Sequence, residues 1–117
     1  LVLGAGTGYG AAVLAAMGLI VTAVESDAAL VAAGMRALDF ALPGNRPELH
    51  AGDPARGWPA AAPFRIILVE GAVEQVPEAL WSQLGEGGRA ALVSEVPAFD
   101  AAAPLLPAFA AAPGFRF

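Results

Sequence analysis

The chain opens with "LVLGAGTGYG", three apolar residues running into Gly4, Gly6, Gly8 and Gly10, and continues as the alanine-rich "AAVLAAMG". Each glycine inside a helix costs about 1 kcal/mol relative to alanine. Four of them where a helix begins therefore read as a tight turn joining a buried strand to a helix. That unit restricts the fold sharply. Its missing Cβ atoms let the main chain approach a ligand closely, and the helix start behind it offers unpaired N–H donors.

The rest of the chain repeats this alternation of strand and helix. Leu1 to Leu3 reads as the end of a strand, which predicts that further sequence precedes it, and the first helix runs from about Gly8 to Met17 with Gly18 as its left-handed stop. "LIVTAVE" (Leu19 to Glu25) is a second strand. Ser26 or Asp27 caps a helix reaching about Leu38, and "ELHAGD" is a short third strand ending at Asp53. The turn formers of "PARGWPAAAPF" predict a loop without a full helix. "RIILVE" (Arg65 to Glu70) is a fourth strand, "VPEALWSQL" a helix, "GEGG" a turn and "RAALVSEV" a fifth strand. The strands are continuous apolar runs, which marks a parallel sheet covered on both faces. The expected fold is a doubly wound, mainly parallel α/β domain spanning residues 1–96. Residues 97–117, with four of the ten prolines and four of the six phenylalanines, form a tail that packs on it.

Composition removes several functions. The net charge is −5, from eleven acids against six arginines and no lysine, which argues against nucleic acid as a partner. There is no cysteine and one histidine, His50, so thiolate and histidine metal sites are not expected. No apolar run reaches the roughly 18 residues that a membrane span needs, and nothing resembles a signal peptide, so a cytoplasmic protein is expected.

The acids are placed more informatively than they are counted. Glu25 lies 21 positions after Gly4, at the end of the second strand, where its carboxylate can accept bonds from ribose hydroxyls. The turn residues Gly4, Ala5, Gly6, Thr7 and Gly8, with Glu25 and its neighbour Ser26, are thus candidates to hold a nucleoside-containing cofactor. Gly52 and Asp53 close the third strand on the side where an adenine amino group would lie, although an acid before Pro54 is also an ordinary turn residue. Glu70 ends the fourth strand and can line the same crevice. Glu74 and Glu78 read as a solvated face, and His50, Trp58 and Trp81 as packing. A dinucleotide fingerprint needs its third glycine at position 9, where this chain has Tyr9. An acidic crevice suits a sulfonium cofactor, so S-adenosylmethionine fits better than NAD.

Together "LVLGAGTGYGAAVLA", "VTAVE" and "GDPARGWPAAAPFRIILVEGAVEQVPEALWSQLGEGGR" resemble the protein-L-isoaspartate O-methyltransferase family over roughly residues 1–93. The most specific part is the middle block, with "GW" before "AP", then "VPEAL", then "QL" before "GG". The resemblance implies a class I, Rossmann-like methyltransferase core that binds S-adenosylmethionine through the glycine turn, Glu25 and Asp53. It implies methylation of the isoaspartyl carboxylate in damaged proteins, an in-line displacement governed by positioning and exclusion of water. Departures accompany it. Val2 stands where such enzymes usually carry an acid for the methionine moiety, Pro54 replaces a glycine, Arg65 an aspartate, and "VEGAV" a small-residue segment. Substrate-binding and catalytic residues are expected upstream of Leu1. A closing hairpin should follow the fifth strand; either this member lacks it or, as the exposed edge it would leave argues, a segment is omitted near residues 94–99. These departures keep a second expectation open, a catalytically weak or inactive paralogue acting as a regulatory or interaction module. An NAD-dependent oxidoreductase is a weaker third.

Overall fold

The computed structural model describes residues 1–94. At the centre of its five-stranded sheet lies β1 (Val2–Leu3), followed by α1 (Tyr9–Ala16), β2 (Thr22–Glu25), α2 (Ala28–Ala41) and β3 (Glu48–Ala51). Two short 3-10 turns, Pro54–Arg56 and Pro59–Ala61, lead to β4 (Phe64–Val73), α3 (Glu78–Trp81) and β5 (Leu84–Ser94). The strand order is β3-β2-β1-β4-β5 and every pairing is parallel. The chain winds outward from β1 to β3, then returns across the sheet to β4 and winds the other way. The order therefore reverses between β1 and β4, and in open α/β sheets the carboxyl ends of the strands at such a reversal form the ligand crevice.

Side chains alternate between the two faces of each strand. Val2, Val21, Ala23 and Leu49 face α1 and α2, where Ala11, Ala15, Val31 and Leu38 complete one core. Leu1, Leu3, Val24 and Ile67 face the other way, onto Leu80 of α3 with Trp58 and Phe64 packed alongside. The expected doubly wound sheet is present, with small alanines letting α1 lie close to it.

Local signals place most boundaries. Asp27, not Ser26, is the cap of α2; its Oδ1 accepts from the N–H groups of Ala29 at 2.8 Å and Leu30 at 3.3 Å. That helix continues to Ala41, past the expected Leu38, until Pro43 forbids further turns. Gly18 has φ +92° just beyond α1. Strand pairing of β2 starts at Thr22 and not at Leu19, whose N–H closes the end of α1 on the Leu14 carbonyl at 3.2 Å.

Two expectations are corrected around β5. The helix expected from "VPEALWSQL" is one turn long, because the backbone carbonyl of Gln83 accepts from the Phe64 N–H at 2.8 Å and draws the chain into the sheet. "GEGG" is an excursion within β5 and not a turn before it. Phe64 pairs with Leu84 and Ile66 with Arg89, so between these pairs one residue of β4 faces four of β5. A second irregularity runs the other way: β4 extends past Glu70 to Val73, and it bulges between Leu68 and Ala72. The tail and the segment suspected near residues 94–99 lie outside the described residues. Among the described residues no helix is long and apolar enough to cross a membrane.

Candidate functional site

The glycine turn leaves β1 against β2 and enters α1 beside β4. The N–H groups of Gly4 and Ala5 both donate to the Val24 carbonyl, at 2.9 and 3.2 Å, and Gly8 N–H returns to the Ala5 carbonyl at 2.8 Å. Gly4 has φ +68°, and a Cβ there would lie 2.7 Å from the Glu70 carbonyl oxygen, so both conformation and space require glycine. Gly8, with φ +85°, caps α1 without a side chain. At Gly6 nothing lies within 4 Å of where a Cβ would stand, so the middle of the turn opens onto free space. Ala5 is buried in the core and Thr7 is exposed.

Glu25 ends β2 directly beside this turn. Its Oε2 accepts from Gly6 N–H at 2.8 Å, and its Oε1 accepts from Asp27 N–H at 2.9 Å and from the Ser26 hydroxyl at 3.2 Å. The Asp27 and Gly6 N–H groups hold its carboxyl below the ordinary range. An ionised carboxylate has about four acceptor positions. Three are taken here, which leaves one on Oε2 open. The carboxylate thus braces the turn as well as facing the crevice, a role that its spacing alone does not reveal.

Farther along the same edge, Gly52 N–H donates to the Glu25 carbonyl at 3.0 Å and sets Asp53 beyond β3. Asp53 Oδ1 accepts from Ala55 N–H at 2.9 Å and caps the first 3-10 turn. Its Oδ2 faces the Arg56 Nε at 3.9 Å across an exposed surface. The turn role is present, and the second oxygen has only the long contact with Arg56. His50 stacks on Trp58 with ring centroids 4.1 Å apart and planes 12° apart, which agrees with a packing role for both. Glu74 and Glu78 are exposed, as expected of a solvated face.

On the opposite side of the turn, Glu70 sits on β4 directly after its last pairing with β1, Leu3 with Val69. Its side chain folds over the first turn of α1, where a Cβ on Gly10 would fall 1.7 Å from Oε1. Burial pushes its carboxyl above the ordinary range. Glu70, the glycine turn, Glu25 and Asp53 therefore stand in order along one edge of the sheet, on β4, β1, β2 and β3. A hollow of about 470 Å³ lies at the other edge, lined by Leu1, Leu14, Ile20 and Phe64, and has none of these acids.

The structure also brings in Gln83, which the sequence marks only as part of a family pattern. Only 3% exposed, it accepts from Trp58 N–H at 2.7 Å and donates to the carbonyls of Arg56 and Ala79, each at 2.8 Å. It ties the loop after Asp53 to α3. A glutamine set among apolar residues at a helix end is the only local signal for it.

Comparison with known proteins gives the arrangement a lineage. A family model described as protein-L-isoaspartate (D-aspartate) O-methyltransferase matches residues 1–97. The protein-L-isoaspartate O-methyltransferase of Methylorubrum populi is 52% identical over 86 residues, covering 74% of this chain and 40% of that protein. Its counterpart in Alkalilimnicola ehrlichii is 46% identical over 88 residues, covering 74% and 39%. The chain thus spans about two fifths of the length of these relatives. A solved protein-L-isoaspartate O-methyltransferase superimposes with a TM-score of 0.74 at 31% identity, over 80% of this chain and 30% of that one. A Plasmodium falciparum structure in complex with S-adenosyl-L-homocysteine shares the fold, with a TM-score of 0.65 at 19% identity, over 83% and 51%. By sequence and by fold, the chain belongs to the protein-L-isoaspartate (D-aspartate) O-methyltransferase family.

Proposed function

We propose that this chain is the cofactor-binding core of an S-adenosylmethionine-dependent methyltransferase that esterifies isoaspartyl carboxylates in damaged proteins. The observation that carries the reading is the Glu25–Gly6 hydrogen bond, which joins the end of β2 to the turn after β1, beneath a glycine turn whose centre is open. These residues fit the cofactor: the turn supplies close backbone approach, and the crevice supplies acids and no described cation in contact with Glu70. In this reading Gly4, Ala5, Gly6, Thr7 and Gly8 form the floor of the site. Glu25 accepts a ribose hydroxyl through its remaining position, with Ser26 holding the other oxygen. Gly52 and Asp53, whose Oδ2 trades its long contact with Arg56 for the adenine amino group, receive the adenine, and Glu70 stands at the sulfur. When bound, S-adenosylmethionine supplies an electrophilic methyl group. The protein's part is to fix the geometry and to keep water away from it.

Val2 supports a second reading, in which binding persists but catalysis is weak. Its isopropyl group brings no carboxylate, and it is fully buried in the core against α1 and α2. A cytoplasmic site of action is part of the main proposal, because the cofactor has to be at hand.

Calorimetric titration of the full-length protein with S-adenosylhomocysteine, with NAD as control, tests the binding. Micromolar affinity for the first alone, about −8 kcal/mol, is expected. No heat from either ligand overturns the proposal. Methyl transfer from labelled cofactor to an isoaspartyl peptide then separates the two readings, since binding without transfer assigns the catalytically weak one.

A further inference from the structure

Glu70 is an acid without a counterpart. It has no hydrogen bond or ion pair among the described residues. The described arginines that form ion pairs do so elsewhere, Arg46 with Asp39 and Arg56 with Asp53. The side chain is half-buried, and burial without a partner raises its carboxyl. A lone carboxylate in that position works against folding, so its presence asks for another explanation.

The surroundings are shaped to hold it. The Glu70 carbonyl lies against Gly4, and Glu70 Oε1 fills the space that any side chain on Gly10 would occupy. A helix position that would favour alanine by about 1 kcal/mol therefore keeps glycine, and with it room for a carboxylate. Val2 on the adjacent strand is apolar and buried, and the oxygens of Glu25 are bonded to Gly6, Ser26 and Asp27. Glu70 is thus the acid at the β1–β4 reversal, set against the first turn of α1, whose carboxylate has no partner among the described residues.

Building on the proposed cofactor site, we infer that Glu70 is its charge-selective residue: its carboxylate faces the sulfonium of S-adenosylmethionine and makes the site prefer that cation to the neutral thioether product. The adenosine, the ammonium and the carboxylate are common to both ligands. Only the sulfonium charge and its methyl group differ, so an acid aimed there acts on the difference between them. A carboxylate serving merely as a favourable charge at the start of α1 would instead stabilise the helix and leave the ligand ratio alone.

The test is calorimetry on the full-length protein with S-adenosylmethionine and S-adenosylhomocysteine separately, for the wild type and for Glu70→Gln. Charge–charge attraction in a half-buried setting sets the expected scale, because a sulfonium has no N–H or O–H to donate: a loss of about tenfold or more for S-adenosylmethionine and less than twofold for S-adenosylhomocysteine. Gly10→Ala provides a second variant that keeps the acid but evicts its carboxylate, and it must lower the same ratio. Thermal melts confirm that both variants fold. Equal losses for the two ligands, no change in either, or a gain in both each overturn the inference. Failure of the wild type to bind S-adenosylhomocysteine overturns the proposed function itself, a separate outcome.

Discussion

Gln83 offers the sharpest test of how this architecture is held. Its replacement by alanine removes three hydrogen bonds at once, to Trp58 N–H, Arg56 carbonyl and Ala79 carbonyl. The Ala79 carbonyl keeps a partner, because the Ser82 hydroxyl also donates to it at 3.0 Å. Two groups are left unsatisfied, at about 1–3 kcal/mol each. The loop can relax toward water, so about 2–4 kcal/mol is expected, a large part of the 5–15 kcal/mol that typically holds a domain together. Urea denaturation of Gln83→Ala measures it. Gln83→Glu isolates the donor. An ionised glutamate still accepts from Trp58 N–H but points its second oxygen at two carbonyls. Its folded carboxyl is therefore raised above its unfolded value. The penalty is absent at a pH below the unfolded value, where both states are protonated, and grows as pH rises through the folded value. Gln83→Glu should approach wild-type stability near the acid end and fall well behind it at neutral pH, each compared with wild type at the same pH. Equal stability of Gln83→Glu and wild type at neutral pH would refute the assignment of a required donor.

Three further outcomes rest on the same kind of contact. Asp27→Ala removes the cap from the Ala29 and Leu30 N–H groups and should lower stability by about 1 kcal/mol, read from the thermal midpoint, while Asp27→Asn should change little. Gly34→Ala should destabilise by about 1–3 kcal/mol despite the better helix propensity of alanine, because its Cβ would stand 2.7 Å from the Thr7 carbonyl oxygen and from Leu49; a more stable variant would contradict that packing. Glu25 is held below the ordinary carboxylate range by the Asp27 and Gly6 N–H groups, so its contribution is full above the unfolded value and lost as pH falls through the folded one. Glu25→Gln should therefore be less stable than wild type at neutral pH, and denaturation curves should converge as the solution is made acidic.

What the sequence makes legible here depends on how far apart the interacting residues are. The glycine turn, the cap at Asp27 and the stop at Gly18 are written in consecutive residues, and the structure forms each of them. The start of β5 is different. "GEGG" has the composition of a turn, yet it is an excursion inside a strand because Phe64, nineteen residues before Gln83, takes the Gln83 carbonyl. Local composition carries no record of that bond. The same partner shortens the helix that "VPEALWSQL" suggests.

The four opening glycines show the limit most clearly, since one local motif has several separate causes. The positions of Gly4 and Gly10 are both explained by Glu70, one by its backbone and the other by its side chain, across some sixty residues. Gly8 lies against Leu38 of α2, while Gly6 meets nothing and spends its N–H on Glu25. Spacing along the chain gives Glu25 its place in the site, because strand, turn and strand fix that distance. It cannot distinguish a glycine that makes room for a ligand from one that makes room for an acid. For Gly10 the occupant is the Glu70 carboxylate, and removing that carboxylate while keeping the glycine, as Glu70→Gln does, separates the packing of this corner from its charge.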